Sequence, residues 1–112
     1  MEETLYKNTP LYQSHFLKDQ FNRKVFYKMD CNQPTGSFKI RGMEFICKDY
    51  LAKGVTEFVA SSGGNAGYSL AYVGMKLGTK VQVIVPETTA TRMVDKIRQL
   101  GAEVQVFGID WN

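Results

Sequence analysis

The stretch VTEFVASSGGNAGYSLAYVGMKLGTKVQVIVP, residues 55–86, decides the fold class of this chain. Its β-rich beginning at 55–60 predicts a strand, and it runs into the glycine-rich segment SSGGNAG at 61–67. Apolar residues then recur every three or four positions until Gly78, which predicts a helix with one buried face that ends at that glycine. The apolar run at 80–86 predicts the next strand. Strand, helix and strand in this order indicate a βαβ unit with parallel strands.

The same alternation continues on the C-terminal side. The segment TTATRMVDKIRQLG at 88–101 has helical apolar spacing with Thr88 or Thr89 as candidate N-cap, and a strand is predicted at 103–107. The chain stops shortly after this strand, so we interpret residues 109–112 as a truncated end. A mainly parallel sheet with helices between its strands is therefore expected. Four phenylalanines are predicted to lie in its core: Phe38, Phe45, Phe58 and Phe107.

On the N-terminal side, KVFYKMD at 24–30 alternates apolar and polar residues, which predicts a further strand. After the turn-like DCNQPTG, apolar residues recur at helical spacing from Ser37 until Gly54, with Thr35 or Ser37 as candidate N-cap. Right-handed crossovers would place the turn before this helix and the SSGGNAG turn at the same sheet edge, where α/β proteins bind ligands. We therefore expect both turns at one ligand-binding edge.

Composition excludes several classes of function. The 112 residues are 44% hydrophobic and 22% charged, which is ordinary for a globular domain, and the net charge of +3 includes no basic block. Nucleic-acid and membrane partners are therefore not expected, and no run is apolar and long enough for a signal peptide or a membrane span. With Cys31, Cys47 and His15 as the only cysteines and histidine, no metal site is expected. Two unpaired thiols favour a reducing compartment, so we predict a cytoplasmic protein.

The segment SSGGNAG at 61–67 has the composition of an anion-binding loop. Small residues between a strand and a helix start let backbone N–H groups approach a phosphate or a carboxylate, which the helix dipole favours. The alternative is a tight turn whose glycines only permit positive φ and close packing. A dinucleotide fingerprint matches only in part, because Gly64 and Gly67 are present and Glu87 follows the next strand, but Ser62 stands where the first glycine should be.

Lys39 lies at the predicted start of a helix, where the partial positive charge favours a neutral amine. A neutral amine attacks carbonyl carbons, so this position suits Schiff-base chemistry. The alternative is a surface lysine that extends into water. The coincidence of Lys39 with the glycine-rich loop, and not its position alone, favours the chemical interpretation. For Arg41, two residues further on, a solvent-facing or structural cation is expected.

Three motifs together resemble the fold-type II pyridoxal-phosphate enzymes: NTPL at 8–11, MDCNQPTGSFKIRG at 29–42 and SSGGNAG at 61–67. Within these enzymes the chain is most similar to the L-serine dehydratase/threonine dehydratase group of ammonia-lyases. Ile40, directly after the lysine, favours the dehydratases over the cysteine and threonine synthases. The match covers nearly the whole chain, with the motifs in order and at natural spacing.

The resemblance implies a three-layer α/β/α fold of the tryptophan synthase β type, with a mainly parallel sheet, which this chain contains incompletely. Residues 1–32 would open the larger cofactor domain, and residues 33–108 would form most of the smaller domain. The glycine-rich cup for the cofactor phosphate and the group facing the pyridine nitrogen have no counterpart in these residues. Full-length relatives are expected to be homodimers.

The resemblance also implies a site. The cofactor would be pyridoxal 5'-phosphate and the substrate a small amino acid. Lys39 would bind the cofactor covalently and take the Cα proton, Phe38 would pack beside the cofactor ring, and Asn65 would hydrogen-bond its phenolic oxygen. Four residues would form the loop for the substrate carboxylate: Ser62, Gly63, Gly64 and Ala66. Position 63 is a small residue that can be alanine in relatives.

The implied reaction is β-elimination, which converts L-serine to pyruvate, or L-threonine to 2-oxobutyrate, with release of ammonia. The chain would carry only the N-terminal part of that active site. Two alternatives stay open at this point. The chain could be a non-catalytic remnant or small-ligand-binding module of the same fold, or, on weaker grounds, a Rossmann-like nucleotide-binding domain.

Overall fold

The computed structural model describes residues 3–111. In chain order the strands and helices are β1 (Leu11–Gln13), α1 (His15–Phe21), β2 (Phe26–Lys28), a 3-10 turn (Asp30–Asn32), α2 (Lys39–Ala52), β3 (Glu57–Ser61), α3 (Asn65–Leu77), β4 (Lys80–Val85), α4 (Thr91–Gln99) and β5 (Glu103–Val106). From β3 onward the predicted alternation of strands and helices is confirmed, with boundaries shifted by a few residues.

The strands β3, β4 and β5 form a parallel sheet in that order. Val83 of β4 pairs with Ala60 on one side and with Val104 on the other. α3 and α4 make the two crossovers, as the alternation predicted. α3 ends at Gly78, whose φ of 67° lies in the left-handed region that favours glycine at this position.

One face of this sheet carries the core. Val81, Val83 and Val85 alternate along β4 and are buried together with apolar residues of α3 and α4, among them Val73 and Ile97. Each such side chain contributes about 1.5–3 kcal/mol by leaving water. α2 packs against α3, and the two buried apolar residues of α2, Ile40 and Cys47, join the same core.

The other face of the sheet is open within the described residues. Val59 is 58% exposed there, and Lys80 forms ion pairs across the three strands with Glu57 at 3.3 Å and Glu103 at 3.8 Å. Residues 3–111 therefore supply helices on one side of the sheet only, which agrees with an incomplete three-layer fold.

The N-terminal region differs from the sequence prediction. A strand around 24–30 was expected to lead into the parallel sheet, but β2 pairs antiparallel with β1, and Tyr12 stands opposite Tyr27. The turn before Lys39 therefore does not follow a strand of the parallel sheet. It is placed by α3 instead, because the Ser69 hydroxyl donates a hydrogen bond to the Thr35 hydroxyl at 3.2 Å. The boundary at residue 32 between two domains stays a prediction.

The predicted helix caps were wrong for both α2 and α4. α2 begins after Phe38 and α4 after Ala90, and neither start has a side-chain cap. Thr35, the candidate cap of α2, is engaged with Ser69. At Thr35 a tertiary contact thus took the place of the local cap that the sequence suggested.

Three of the four predicted core phenylalanines are also exposed. Phe38, Phe45 and Phe107 are 61%, 74% and 72% exposed, and only Phe58 packs against the core. Apolar character predicted burial, but the described residues offer no layer that would cover these side chains.

Candidate functional site

The glycine-rich segment joins β3 to α3 and presents the start of that helix. Asn65 is the first residue of α3, and Gly64 before it provides no side-chain cap. The first backbone N–H groups of a helix have no partner within it, and together with the helix dipole they favour an anion. Within the loop, the Gly64 N–H donates to the Ser62 hydroxyl at 3.3 Å, which stabilises the turn. The geometry therefore suits a carboxylate or a phosphate.

The glycines of this loop differ in the space that is available for a side chain. A Cβ on Gly67 would lie 2.1 Å from the backbone oxygen of Ser62, so close packing of loop on helix requires glycine there. A Cβ on Gly64 would meet nothing within 4 Å, and its φ of −128° is accessible to any residue. Packing therefore explains Gly67, whereas Gly64 borders open space at the helix start. Close packing, one part of the tight-turn interpretation, therefore holds at Gly67, and anion binding by the rest of the loop stays a prediction.

A polar cavity of about 430 Å³ opens beside the loop. It is lined by two groups of residues, the loop itself with Ser61, Ser62, Gly63 and Gly64, and a facing group with Thr88, Thr89, Ala90 and Trp111. The residue types of the facing group predict no site role by themselves. The predicted parallel sheet does indicate where this group lies, because turns that follow neighbouring parallel strands lie side by side.

Lys39 is the first residue of α2 and is exposed. Its ammonium nitrogen lies 5.1 Å from the ring centroid of Phe38, within the range of a cation–π contact. Lys39 and Phe38 line none of the cavity beside the loop. The structure therefore brings together the predicted carboxylate-loop residues Ser62, Gly63 and Gly64, places Asn65 and Ala66 at the start of α3, and keeps the lysine at the start of the neighbouring helix.

A cluster around Asp30 holds the first turn of α2. Arg41 donates to both carboxylate oxygens of Asp30, from Nε at 2.9 Å and from Nη2 at 3.0 Å. These bonds and one from the Thr9 hydroxyl hold the pKa of Asp30 well below its usual range. Gln33 adds a pair of hydrogen bonds, both at 2.8 Å, with the backbone of Lys7. Arg41 is thus a structural cation, which is one of the two roles expected from the sequence.

Glu44 anchors the N-terminal segment one turn further along α2. Its side chain is 3% exposed and accepts the backbone N–H groups of Leu5 at 2.9 Å and Tyr6 at 3.1 Å. Burial raises the pKa of this carboxyl, but the Lys48 ammonium at 2.8 Å and the two N–H groups outweigh burial, so the net pKa shift is downward. Sequence spacing had not indicated this contact, because its partners are almost forty residues apart.

Across residues 3–111 no cluster of three or more His, Cys, Asp or Glu side chains could hold a metal ion. Within the same residues no helix is long and apolar enough to cross a membrane.

Comparison with known proteins gives the family. A family model described as "Pyridoxal-phosphate dependent enzyme" matches residues 2–112. The chain belongs to this family. It is 42% identical over 107 residues to the mouse L-serine dehydratase/L-threonine deaminase, covering 96% of this chain and 33% of the relative. It is 40% identical to the L-serine dehydratase of Dictyostelium discoideum, with 96% and 33% covered. The chain thus spans about one third of the length of these relatives.

Solved structures agree with this assignment. The L-serine ammonia-lyase of Rhizomucor miehei superposes with a TM-score of 0.84 at 29% identity, covering 97% of this chain and 35% of that one. Maize serine racemase, at 22% identity, matches with a TM-score of 0.85 over 95% of this chain and 32% of that one, and supports the fold alone. The predicted fold class and the resemblance to the dehydratase group are both confirmed.

The residues present fit the cofactor named by the family. Lys39 supplies an exposed primary amine and Phe38 an adjacent aromatic ring. Two residues before the lysine, the Ser37 hydroxyl oxygen is buried and has no hydrogen-bond partner in the described part of the chain. A buried hydroxyl without a partner is costly unless a ligand satisfies it. The start of α2 thus has the donor set that a carbonyl-bearing, polar cofactor requires.

Proposed function

We propose that this chain carries the lysine and the carboxylate loop of a pyridoxal-phosphate enzyme that deaminates L-serine, L-threonine or both. The observation that carries the proposal is the pairing of an exposed amine at the first residue of α2 with the uncapped start of α3, on two helices that pack together. Relatives named for L-serine and L-threonine support the substrate class. In this proposal the remaining two thirds of the relatives' length supply the rest of the site.

The loop would bind the substrate carboxylate. Ser62 would donate its hydroxyl proton while that hydroxyl accepts the Gly64 N–H, and the backbone N–H groups of Gly63 and Ala66 would add donors at the start of α3. The helix dipole stabilises a negative charge at this point by up to about 1 kcal/mol in exposed sites. Because the loop is tied to the helix through Gly67, it can hold the carboxylate in one orientation.

Lys39 would hold the cofactor through its amine, with Phe38 against the cofactor ring and Asn65 donating from its side-chain amide to the ring oxygen. When bound, pyridoxal phosphate supplies an electron sink for negative charge at the substrate Cα. The Lys39 amine would take the Cα proton as general base. Loss of the β-hydroxyl as water, followed by hydrolysis, gives ammonia with pyruvate from serine or 2-oxobutyrate from threonine.

The first test asks whether Lys39 reacts selectively. The chain is incubated with pyridoxal phosphate, reduced with borohydride and mapped by peptide mass spectrometry. We expect a visible absorbance band and a modified peptide at Lys39, both lost in Lys39→Ala. Lys76→Ala is the matched control, because Lys76 lies over the Tyr72 ring at 5.6 Å much as Lys39 lies over Phe38. Equal labelling of both lysines would contradict the proposal and favour a ligand-binding module without this chemistry.

The second test concerns the substrate and uses the longest form of the protein that is expressed. Pyruvate formed from L-serine and 2-oxobutyrate formed from L-threonine are measured side by side. Ser62→Ala is expected to raise KM for the amino acid while Lys39 still takes the cofactor label, because Ser62 lies in the loop before α3 and Lys39 at the start of α2. Loss of labelling in Ser62→Ala would contradict the separate roles. A cytoplasmic location and a homodimeric whole protein belong to the same proposal.

A further inference from the structure

Gly63 in the carboxylate loop is in direct contact with the neighbouring turn. A Cβ built on Gly63 would lie 2.7 Å from Cγ2 and 2.8 Å from Oγ1 of Thr89. Both distances are well inside the contact distance of about 3.5–4.0 Å. Both branches of the Thr89 side chain therefore lie against the Cα of Gly63. No residue larger than glycine fits at position 63 unless Thr89 or the loop moves.

Thr89 is held independently of the loop. Its N–H donates to the Pro86 carbonyl at 3.0 Å, which forms a tight turn after β4. The turn is also tied to the segment after β5, because the Glu87 N–H donates to the Gly108 carbonyl at 2.9 Å. Thr89 does not cap α4, which begins after Ala90 without a side-chain cap. The backbone of Thr89 is thus held at the sheet edge, and its side chain lies against Gly63.

We propose that Thr89 is a positioning residue for the carboxylate loop. Its branched side chain packs against Gly63 and sets how closely the loop approaches the β4–α4 turn. This distance in turn sets the direction of the N–H groups at the start of α3. The sizes of residues 63 and 89 together, and not that of residue 63 alone, determine the loop geometry. The inference rests on the proposed function for the meaning of the loop, but the contact itself does not depend on it.

The test is a set of paired substitutions in the full chain. Gly63→Ala is made alone, with Thr89→Ala, which removes both clashing atoms, and with Thr89→Val, which keeps the branched shape and loses only the hydroxyl. Thr89→Ser alone is the conservative variant. The first readout is the set of backbone amide shifts of Ser62 and Gly64 in a ¹⁵N–¹H spectrum. The second is L-serine affinity from the fluorescence of Trp111, the single tryptophan, which lines the same cavity.

Gly63→Ala is expected to shift the loop amides and to weaken L-serine binding about tenfold, since small misplacements of binding groups have effects of that order or larger. Adding Thr89→Ala should return the amide shifts and the affinity most of the way to those of the parent chain. Adding Thr89→Val should not, and Thr89→Ser alone should stay close to the parent. Rescue by valine, or failure of alanine to rescue, would overturn the role of Thr89.

The two proposals fail in different ways. If the longest expressed form of the protein, loaded with pyridoxal phosphate, forms no keto acid from L-serine or L-threonine, the carboxylate-loop function is wrong, and the amide shifts of the paired variants still decide the role of Thr89. If L-serine binds and the substitutions at 63 and 89 act additively on both readouts, the function stands and the positioning role is wrong. Should Gly63→Ala unfold the chain, restoration of folding by Thr89→Ala but not by Thr89→Val supports the proposal, and unfolding of both double variants contradicts it.

Discussion

The N-terminal ribbon, residues 11–28, and the α/β unit, residues 39–106, are built on different principles. None of the residues in β1, α1 or β2 is buried, and the ribbon exposes six large apolar side chains: Leu11, Tyr12, Phe16, Phe21, Phe26 and Tyr27. The α/β unit instead buries a continuous cluster from α2 to α4. Local hydrogen bonds shape the ribbon, whereas removal of apolar surface from water holds the α/β unit together.

Backbone chemistry within the ribbon explains how it forms without a core. The Ser14 hydroxyl accepts the Leu17 N–H at 3.2 Å and caps α1, and Asn22 ends that helix with a φ of 48°. The Ser14 N–H donates to the Val25 carbonyl at 2.9 Å and closes the ribbon. The two regions should therefore respond differently to the loss of a large side chain.

The largest difference is expected from truncating one apolar residue in each region. Ile97 is 0% exposed and Phe16 is 73% exposed. Ile97→Ala should lower the free energy of unfolding by about 3 kcal/mol through lost burial and a cavity. Phe16→Ala should change it by less than about 0.5 kcal/mol. Urea unfolding followed by circular dichroism measures both, and a comparable loss in Phe16→Ala would break the distinction between the regions.

The next effect concerns close backbone packing inside the α/β unit. Gly67→Ala places a methyl group against the Ser62 carbonyl and should destabilise the chain by about 1–3 kcal/mol, as overpacking does. Gly64→Ala is the matched control, since its methyl group would meet open space. Both are compared by the same urea titration. A Gly67→Ala variant as stable as Gly64→Ala would show that the loop relaxes freely, contrary to the contact described above.

A pH effect is expected at the join between the two regions, where Asp30 pairs with Arg41. The pKa of Asp30 in the folded chain lies below that of an unfolded aspartate, about 3.9. The unfolded state therefore binds more protons as the pH falls, and the free energy of unfolding declines below about pH 4.

Asp30→Asn should remove this part of the acid sensitivity and be less stable than the parent at neutral pH. Thermal unfolding from pH 7 down to pH 3 measures both effects. Asp49→Asn is the control, because Asp49 pairs with Lys53 on the exposed surface of α2 at 2.7 Å. An acid profile of Asp30→Asn that parallels that of the parent would contradict the assignment.

The smallest perturbation uses the two thiols as reporters, without any mutation. Cys31 follows the ribbon and is exposed, whereas Cys47 is 0% exposed in the core and burial raises its pKa to about 11. A disulfide reagent at pH 8 should label the exposed Cys31 quickly. It should label Cys47 only on unfolding, because the thiolate is the reactive form and the buried thiol is neither accessible nor ionised at this pH. Peptide mapping identifies the sites. Rapid labelling of Cys47 in the folded chain would show that the core opens locally.

The sequence predicts the elements whose formation depends on local or periodic residue patterns. The bounds of β4, the end of α3 at Gly78 and the parallel order all followed from apolar spacing and a glycine stop. It failed where two distant segments compete for one side chain. Thr35 bonds Ser69 instead of capping α2, and β2 pairs with β1 instead of joining the larger sheet. No periodicity in the sequence encodes those partners.

The residues of the candidate site also differ in whether the sequence indicated them. Lys39 and the loop at 61–67 stood out from their residue types and their positions at helix starts. Thr89 did not, because a threonine in a turn signals a cap, and only the side-by-side arrangement of the β3 and β4 turns brings it against Gly63. Thr89 was therefore placed in the correct turn by the sequence, but its predicted role as an N-cap was wrong.

By itself, the sequence determined the βαβ alternation and the family, and it singled out the candidate amine and loop, because spacing, glycine content and motif order are properties of the chain. The tertiary structure alone decided that Asp30 and Glu44 anchor the N-terminal segment to α2, and that Thr89 packs against Gly63. These contacts join residues from 11 to 39 positions apart, and their energies depend on distances and burial that exist only after the chain has folded.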